Sequence, residues 1–131
     1  MKFNIEYFKN EHYEELKKWW SLHNHPAVPF SSLPYGIVVS NEKQIPVCMS
    51  FLYTFEISDM CQIGWTTTNP NTKLRERYEC VDLALDSLLI LAQKLNKKTV
   101  ICFSTSRGIS KLMNKKGLSK GKSHDIYIGS F

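Results

Sequence analysis

The sequence predicts an α+β domain: a mixed, mainly antiparallel central sheet flanked by helices, in the order β-α-β-β-β-α-β-α-β. Three observations predict it. The chain opens on a run that alternates apolar and polar residues, and further strand-like runs separated by turn signals fill its middle. Two later segments have apolar residues at helical spacing. Between those segments lies a short, nearly all-apolar run, residues 99–103, as expected for a strand covered on both faces. With 131 residues, 43% hydrophobic and 22% charged, the chain is expected to fold as one domain over 1–131 around a single core. Disorder is excluded by the same composition.

Each element has its own signal. Residues 2–8 place Phe3, Ile5 and Tyr7 on one side of a half-buried strand. Residues 11–23 form a helix through Tyr13, Leu16, Trp19, Trp20 and Leu22, with Asn10 available as its cap. A loop broken by Pro26, Pro29 and Pro34 follows. Strands at 36–39 and 46–55 join through an Asn-Glu-Lys-Gln turn, and Pro46 starts its strand, where a missing donor does least harm. After a second turn, the strand at 60–68 runs into Asn69-Pro70. A basic loop with Arg75 and Arg77 comes next, then a helix striped by Val81, Leu85, Leu88, Leu89, Ala92 and Leu95, with Asn96 at its C-cap. The chain closes with the strand at 99–103, a helix at 106–116 stopped by Gly117, and a last strand at 126–131.

Composition narrows the function classes. No window approaches 18 apolar residues, so neither a membrane span nor a signal peptide is expected. Cys48, Cys61, Cys80 and Cys102 sit singly among apolar residues, as reduced core thiols of a cytoplasmic protein do. The net charge of +5 is uneven: no acidic residue falls between Asp86 and Asp125, while nine lysines and arginines do. That face reads either as solvated helix surface or as a magnet for an anionic ligand or an acidic protein partner. Aromatic residues are not interleaved with these lysines, which speaks against single-stranded nucleic acid.

The chemistry points to the junction after residue 68. A helix N-terminus and two arginines just beyond a strand end suit a phosphorylated ligand. Lys73, Arg75 and Arg77 could grip phosphate with their side chains, or form ion pairs with Glu76 and Glu79. Trp19, Trp20, Pro29, Phe30 and Leu33 form a cluster that either packs the first helix or walls a pocket or protein interface.

The strand, Asn69-Pro70, arginine loop, helix, short strand, Ile109-Ser110-Lys111-Leu112 and Lys116-Gly117-Leu118 together resemble the GNAT superfamily of N-acetyltransferases over nearly the whole chain. Trp19-Trp20, Leu33-Pro34-Tyr35-Gly36 and Arg75-Glu76-Arg77 look like the small GNAT-like proteins of tailed bacteriophages. The resemblance implies transfer of an acetyl group from acetyl-CoA to an amine acceptor, protein or small molecule, in the host cytoplasm. It implies that Trp65, Thr66, Thr67 and Thr68 pair with the pantetheine arm and that the following loop and helix start hold the pyrophosphate. Aligned on Arg75, Tyr78 and Cys80 stand where the family's loop has small residues, and Tyr78 should obstruct a diphosphate. Ser106 and Met113 take the places of the family's asparagine and acid tyrosine. Ser106 is then a helix cap or a cofactor contact, Met113 is core, and Tyr127, Tyr78 or solvent is the proton donor. His23 and His25 are candidate bases with a suitable intrinsic pKa, and Glu56 and Asp59 are the acidic alternatives. No metal-ligand spacing is present. A catalytically inactive GNAT-fold protein that binds a host protein is the alternative, with nucleic acid a weaker one.

Overall fold

The fold is that of a computed structural model describing residues 2–103 and 106–121. A sheet of five strands lies in the order β1 (Asn4–Tyr7), β2 (Tyr35–Ser40), β3 (Pro46–Thr54), β4 (Met60–Thr68), β5 (Thr99–Cys102). The first four are antiparallel neighbours, and β4 and β5 run parallel, giving the mixed sheet the sequence predicts. Helix α1 (Tyr13–Leu22) covers one face; α2 (Leu74–Lys94) and α3 (Arg107–Lys115) cover the other. The expected strand at 126–131, with Tyr127, lies outside the described residues.

Two cores follow from the two faces. Trp19, Trp20 and Leu16 of α1 pack on Val38, Met49 and Phe51. Cys80, Val81, Ala84, Leu85, Leu88 and Ala92 of α2 pack on Ile37, Val39, Cys48, Leu52, Cys61 and Ile63, joined by Leu112 and Met113. The aromatic-proline cluster therefore includes a packing element, since Trp19 and Trp20 are 1% and 2% exposed. Met113 is core, as its chemistry predicts. The four thiols are unpaired. Burial pushes Cys80 up to about 12, with Glu76 and Glu79 adding to the effect, and raises Cys48 further, so both stay protonated.

Several expectations are corrected. Asn10 does not cap α1. A 3-10 turn, Asn10–His12, precedes that helix, and the buried His12 accepts the Lys9 N–H at Nδ1 (2.9 Å) while its Nε2 donates to Glu6 (2.7 Å). Ile5 and Tyr7 face the α2 side as alternation requires but stay 44% and 63% exposed, because α2 does not reach over the edge strand. Leu95 lies at the end of α2 and is exposed, while Asn96 takes a left-handed φ of 59° just beyond it, ending the helix. The fifth strand is half-buried at one margin of the described sheet, not enclosed.

The largest correction concerns the basic loop. Arg75 and Arg77 are not in a loop: α2 begins at Leu74, so both lie in its first turn. Arg, Glu and Leu are good helix formers, and the apolar stripe continues backward through Cys80. The true connection is residues 69–73. Asn69 organises it, accepting the Asn71 N–H at Oδ1 (3.0 Å) and the Thr72 N–H at its carbonyl (3.2 Å), and donating to the Pro46 carbonyl (3.0 Å).

Helix α3 is fastened to α2 by Lys116, whose ammonium, 11% exposed, meets the carboxylates of Asp82 and Asp86, the latter at 2.7 Å. Burial opposes this charge, but the two carboxylates outweigh it and hold the Lys116 pKa above the ordinary lysine value. The pair's stabilisation is therefore complete below the unfolded lysine value of about 10.4 and is lost as pH rises through the folded one. Thermal melts of the wild type and Lys116→Gln should differ at pH 7 and converge as pH rises through the raised folded value; a pH-independent gap would contradict this.

Candidate active site

Among the described residues, the pairing of β4 with β5 ends at Ile63 and Cys102, while β4 continues to Thr68 beside β3. The sheet therefore opens along one edge of β4. A bulge sits at the opening: Phe51 faces Gly64 but Met49 faces Thr67, so β4 holds one extra residue. Trp65 lies within it at a φ of 54°, a left-handed conformation unusual for a bulky residue and found most often at functional sites. Its ring is held in place, donating from Nε1 to the Tyr53 hydroxyl (2.7 Å), which donates to the Ser32 carbonyl (2.9 Å).

The bulge also sets which backbone groups face the gap. Asn69 donates to the Val47 carbonyl directly opposite (2.8 Å), so Thr67 and Asn69 turn their amides toward β3. In an antiparallel ladder the alternate residues turn away. Thr66 and Thr68 thus turn their N–H groups to the opening. The Thr66 hydroxyl is engaged with Ser50 (2.7 Å), and Thr67 accepts from Trp20 Nε1 (3.1 Å).

Both candidate histidines arrive here from the end of α1. His23 Nε2 bonds the Thr68 carbonyl (3.0 Å), and His25 Nδ1 bonds the Pro26 carbonyl (2.6 Å). A carbonyl only accepts, so His23 is protonated at Nε2 and His25 at Nδ1, leaving Nδ1 and Nε2 respectively as the basic nitrogens when neutral. The His25 ring stands edge-on to Trp65 with centroids 5.6 Å apart and tilts against Trp20 at 6.0 Å. Their spacing in sequence did not reveal that they flank the same strand end.

Other predicted residues are scattered. Glu56 and Asp59 lie on the β3–β4 turn, at the opposite end of β4 from Thr68. Ser106 is the N-cap of α3, its hydroxyl accepting the Ile109 N–H (3.3 Å). Tyr78 is 41% exposed in the second turn of α2, past the turn it was expected to obstruct. Lys73 is the residue before the helix. Arg75 pairs with Glu79 (3.2 Å), whereas Glu76 accepts from Asn41 Nδ2 (2.6 Å). Arg77 lies on the core side of the helix with Cys80 and Val81, and its Nε is a buried atom without a hydrogen-bond partner.

Two features were missed. Trp65's left-handed bulge has no sequence signal, since such positions favour glycine or asparagine. The cluster of Glu6, Glu11 and His12 joins residues close in sequence, but the ring nitrogen that would face an ion is the one donating to Glu6.

No family model matches the chain, and no curated protein matches it in sequence. Its likeness is to solved structures. A GNAT-family acetyltransferase from Staphylococcus aureus shares 14% identity at a TM-score of 0.70, over 96% of this chain and 90% of that one. An acetyltransferase from Trypanosoma brucei shares 10% at 0.70, over 98% and 100%. A Clostridium acetobutylicum structure described as a predicted acetyltransferase with acetyl-CoA shares 10% at 0.68, over 97% and 96%. At 10–14% identity this likeness is one of fold, that of the GNAT-family acetyltransferase. The chain has that fold.

Among the described residues, no helix is long and apolar enough to cross a membrane. The site offers acetyl-CoA the outward amides of Thr66 and Thr68 and an α2 N-terminus flanked by Lys73 and Arg75. These fit a coenzyme with an amide-bearing arm and a diphosphate. The amides of Asn71 and Thr72 are already engaged with Asn69, which leaves the side chains and the first helical turn as the groups that could meet a diphosphate.

Proposed function

We propose that this protein is an acetyl-CoA-dependent N-acetyltransferase acting on an amine acceptor, protein or small molecule. The observation that carries the proposal is the parting of β4 from β5 beyond Ile63, with the amides of Thr66 and Thr68 facing the gap. The pantetheine arm would pair there, and Lys73, Arg75 and Arg77 would meet the diphosphate. Acetyl-CoA supplies the activated thioester. His23 Nδ1 or His25 Nε2 accepts the proton that leaves the amine, directly or through water. Both are placed at the β4 end, whereas Glu56 is not. The acid for the departing thiolate is Tyr127, Tyr78 or solvent. The resemblance to small phage proteins would put the acceptor in the cytoplasm of a bacterial host.

Calorimetric titration with acetyl-CoA tests the reading. Saturable micromolar binding is expected, weakened at least tenfold, about 1.4 kcal/mol, by Arg75→Ala/Arg77→Ala. No heat at millimolar coenzyme would overturn it.

One observation favours a second reading. Asn71 and Thr72 amides are tied to Asn69, and Arg75 is tied to Glu79, as in a site that no longer admits the coenzyme. The fold would then serve as a surface for a host protein, and a stable complex without coenzyme binding is what this reading expects.

A further inference from the structure

The geometry points to β1 as a self-association edge: we propose that two copies pair antiparallel along β1 about an axis through Asn4. The phase of the β1–β2 ladder comes first. Phe8 donates to the Gly36 carbonyl directly opposite (2.8 Å). Even-numbered residues of β1 therefore turn their amides toward β2, and Phe3, Ile5 and Tyr7 turn theirs away from it. No described strand pairs with that edge.

The edge lacks the usual protection. It has no proline, no bulge and no charge on its α2 side, where Ile5 and Tyr7 are 44% and 63% exposed. Beside it runs an open groove of about 440 Å³ between β1 and α2, lined by Phe3, Ile5, Leu83, Glu79 and Asp82. The groove's two carboxylates are ion-paired, Glu79 with Arg75 and Asp82 with Lys116.

Self-pairing suits this edge better than pairing with an unrelated strand, because the sequence is self-complementary. With Asn4 on the axis, Phe3 faces the partner's Ile5, apolar against apolar over the groove, and these are the residues whose amides point outward. On the other face Lys2 meets the partner's Glu6, twice by symmetry. Centring on Ile5 instead would set Lys2 against the partner's Phe8 and lose the charge match. Antiparallel opposite-charge pairs favour the first register. The strand is short, so the interface is a weak, concentration-dependent dimer in place of an obligate one.

Sedimentation velocity of the full chain, over a wide concentration range up to millimolar, tests this. The wild type should shift from monomer to dimer. Ile5→Pro removes an outward N–H without breaking a β1–β2 bond and should weaken the dimer at least tenfold. Lys2→Glu, on an exposed residue, should do the same by setting like charges opposite each other, and it stands alone if Ile5→Pro lowers the melting temperature. A monomer at every concentration, or a dimer indifferent to Lys2→Glu, overturns the proposal.

Discussion

Gly36→Ala is expected to destabilise the protein by about 3 kcal/mol, read as a fall in Tm of about 10 °C. A Cβ at this position would lie 2.5 Å from Phe51 Cε1 and 2.9 Å from Phe8 Cβ. Neither neighbour can give way. Phe51 is fully buried in the α1 core and stands edge-to-face with Phe8 at 4.9 Å. Gly64 supplies the control, since its nearest neighbours would be 3.9 Å away. Gly64→Ala should melt within about 1 kcal/mol of the wild type. Equal losses at the two positions would mean that the cost is backbone freedom, not the Phe51 ring.

The second large effect is on coenzyme binding. Thr68→Pro deletes an N–H that faces the opening and leaves the β3–β4 ladder intact, since Thr67 and Asn69 carry those bonds. Acetyl-CoA affinity should fall at least tenfold, about 1.4 kcal/mol, with a far smaller change in melting temperature. The residue before it, Thr67, is in extended strand, which proline tolerates. The same change at Thr66 would be harder to interpret, because it would put proline directly after the left-handed Trp65. Unchanged affinity in Thr68→Pro would remove the β4 edge from the binding site.

Much of the architecture was legible in the residues. The turn at 41–44 is held by Asn41, whose Oδ1 accepts from Lys43 and Ile45 (3.0 and 3.1 Å), as its residue types suggest. Ser106 caps α3 and Gly117, at a φ of 93°, ends it. The bounds of β3 and β4 agree with the runs that predict them to within a residue. The start of α2 was not legible. A run of Leu-Arg-Glu-Arg-Tyr-Glu has no apolar periodicity, and the sequence offers no conventional cap, since Lys73 makes no side-chain capping bond. The helix begins there because Asn69 closes the preceding turn and Asn41 reaches across from the β2–β3 turn to Glu76.

The candidate site divides in the same way. By themselves, the residues determined the element order as far as α3, the two amphipathic helix faces and the strand that bears Trp65 to Thr68. Those properties are local: period and turn chemistry depend on neighbours in sequence. Only the tertiary structure decided that His23 reaches Thr68, 45 residues away, and that Trp65 occupies a bulge. Each depends on register and helix placement, which are set by packing of Phe51, Trp20 and the α2 stripe across the whole domain. Local spacing contains no record of such contacts.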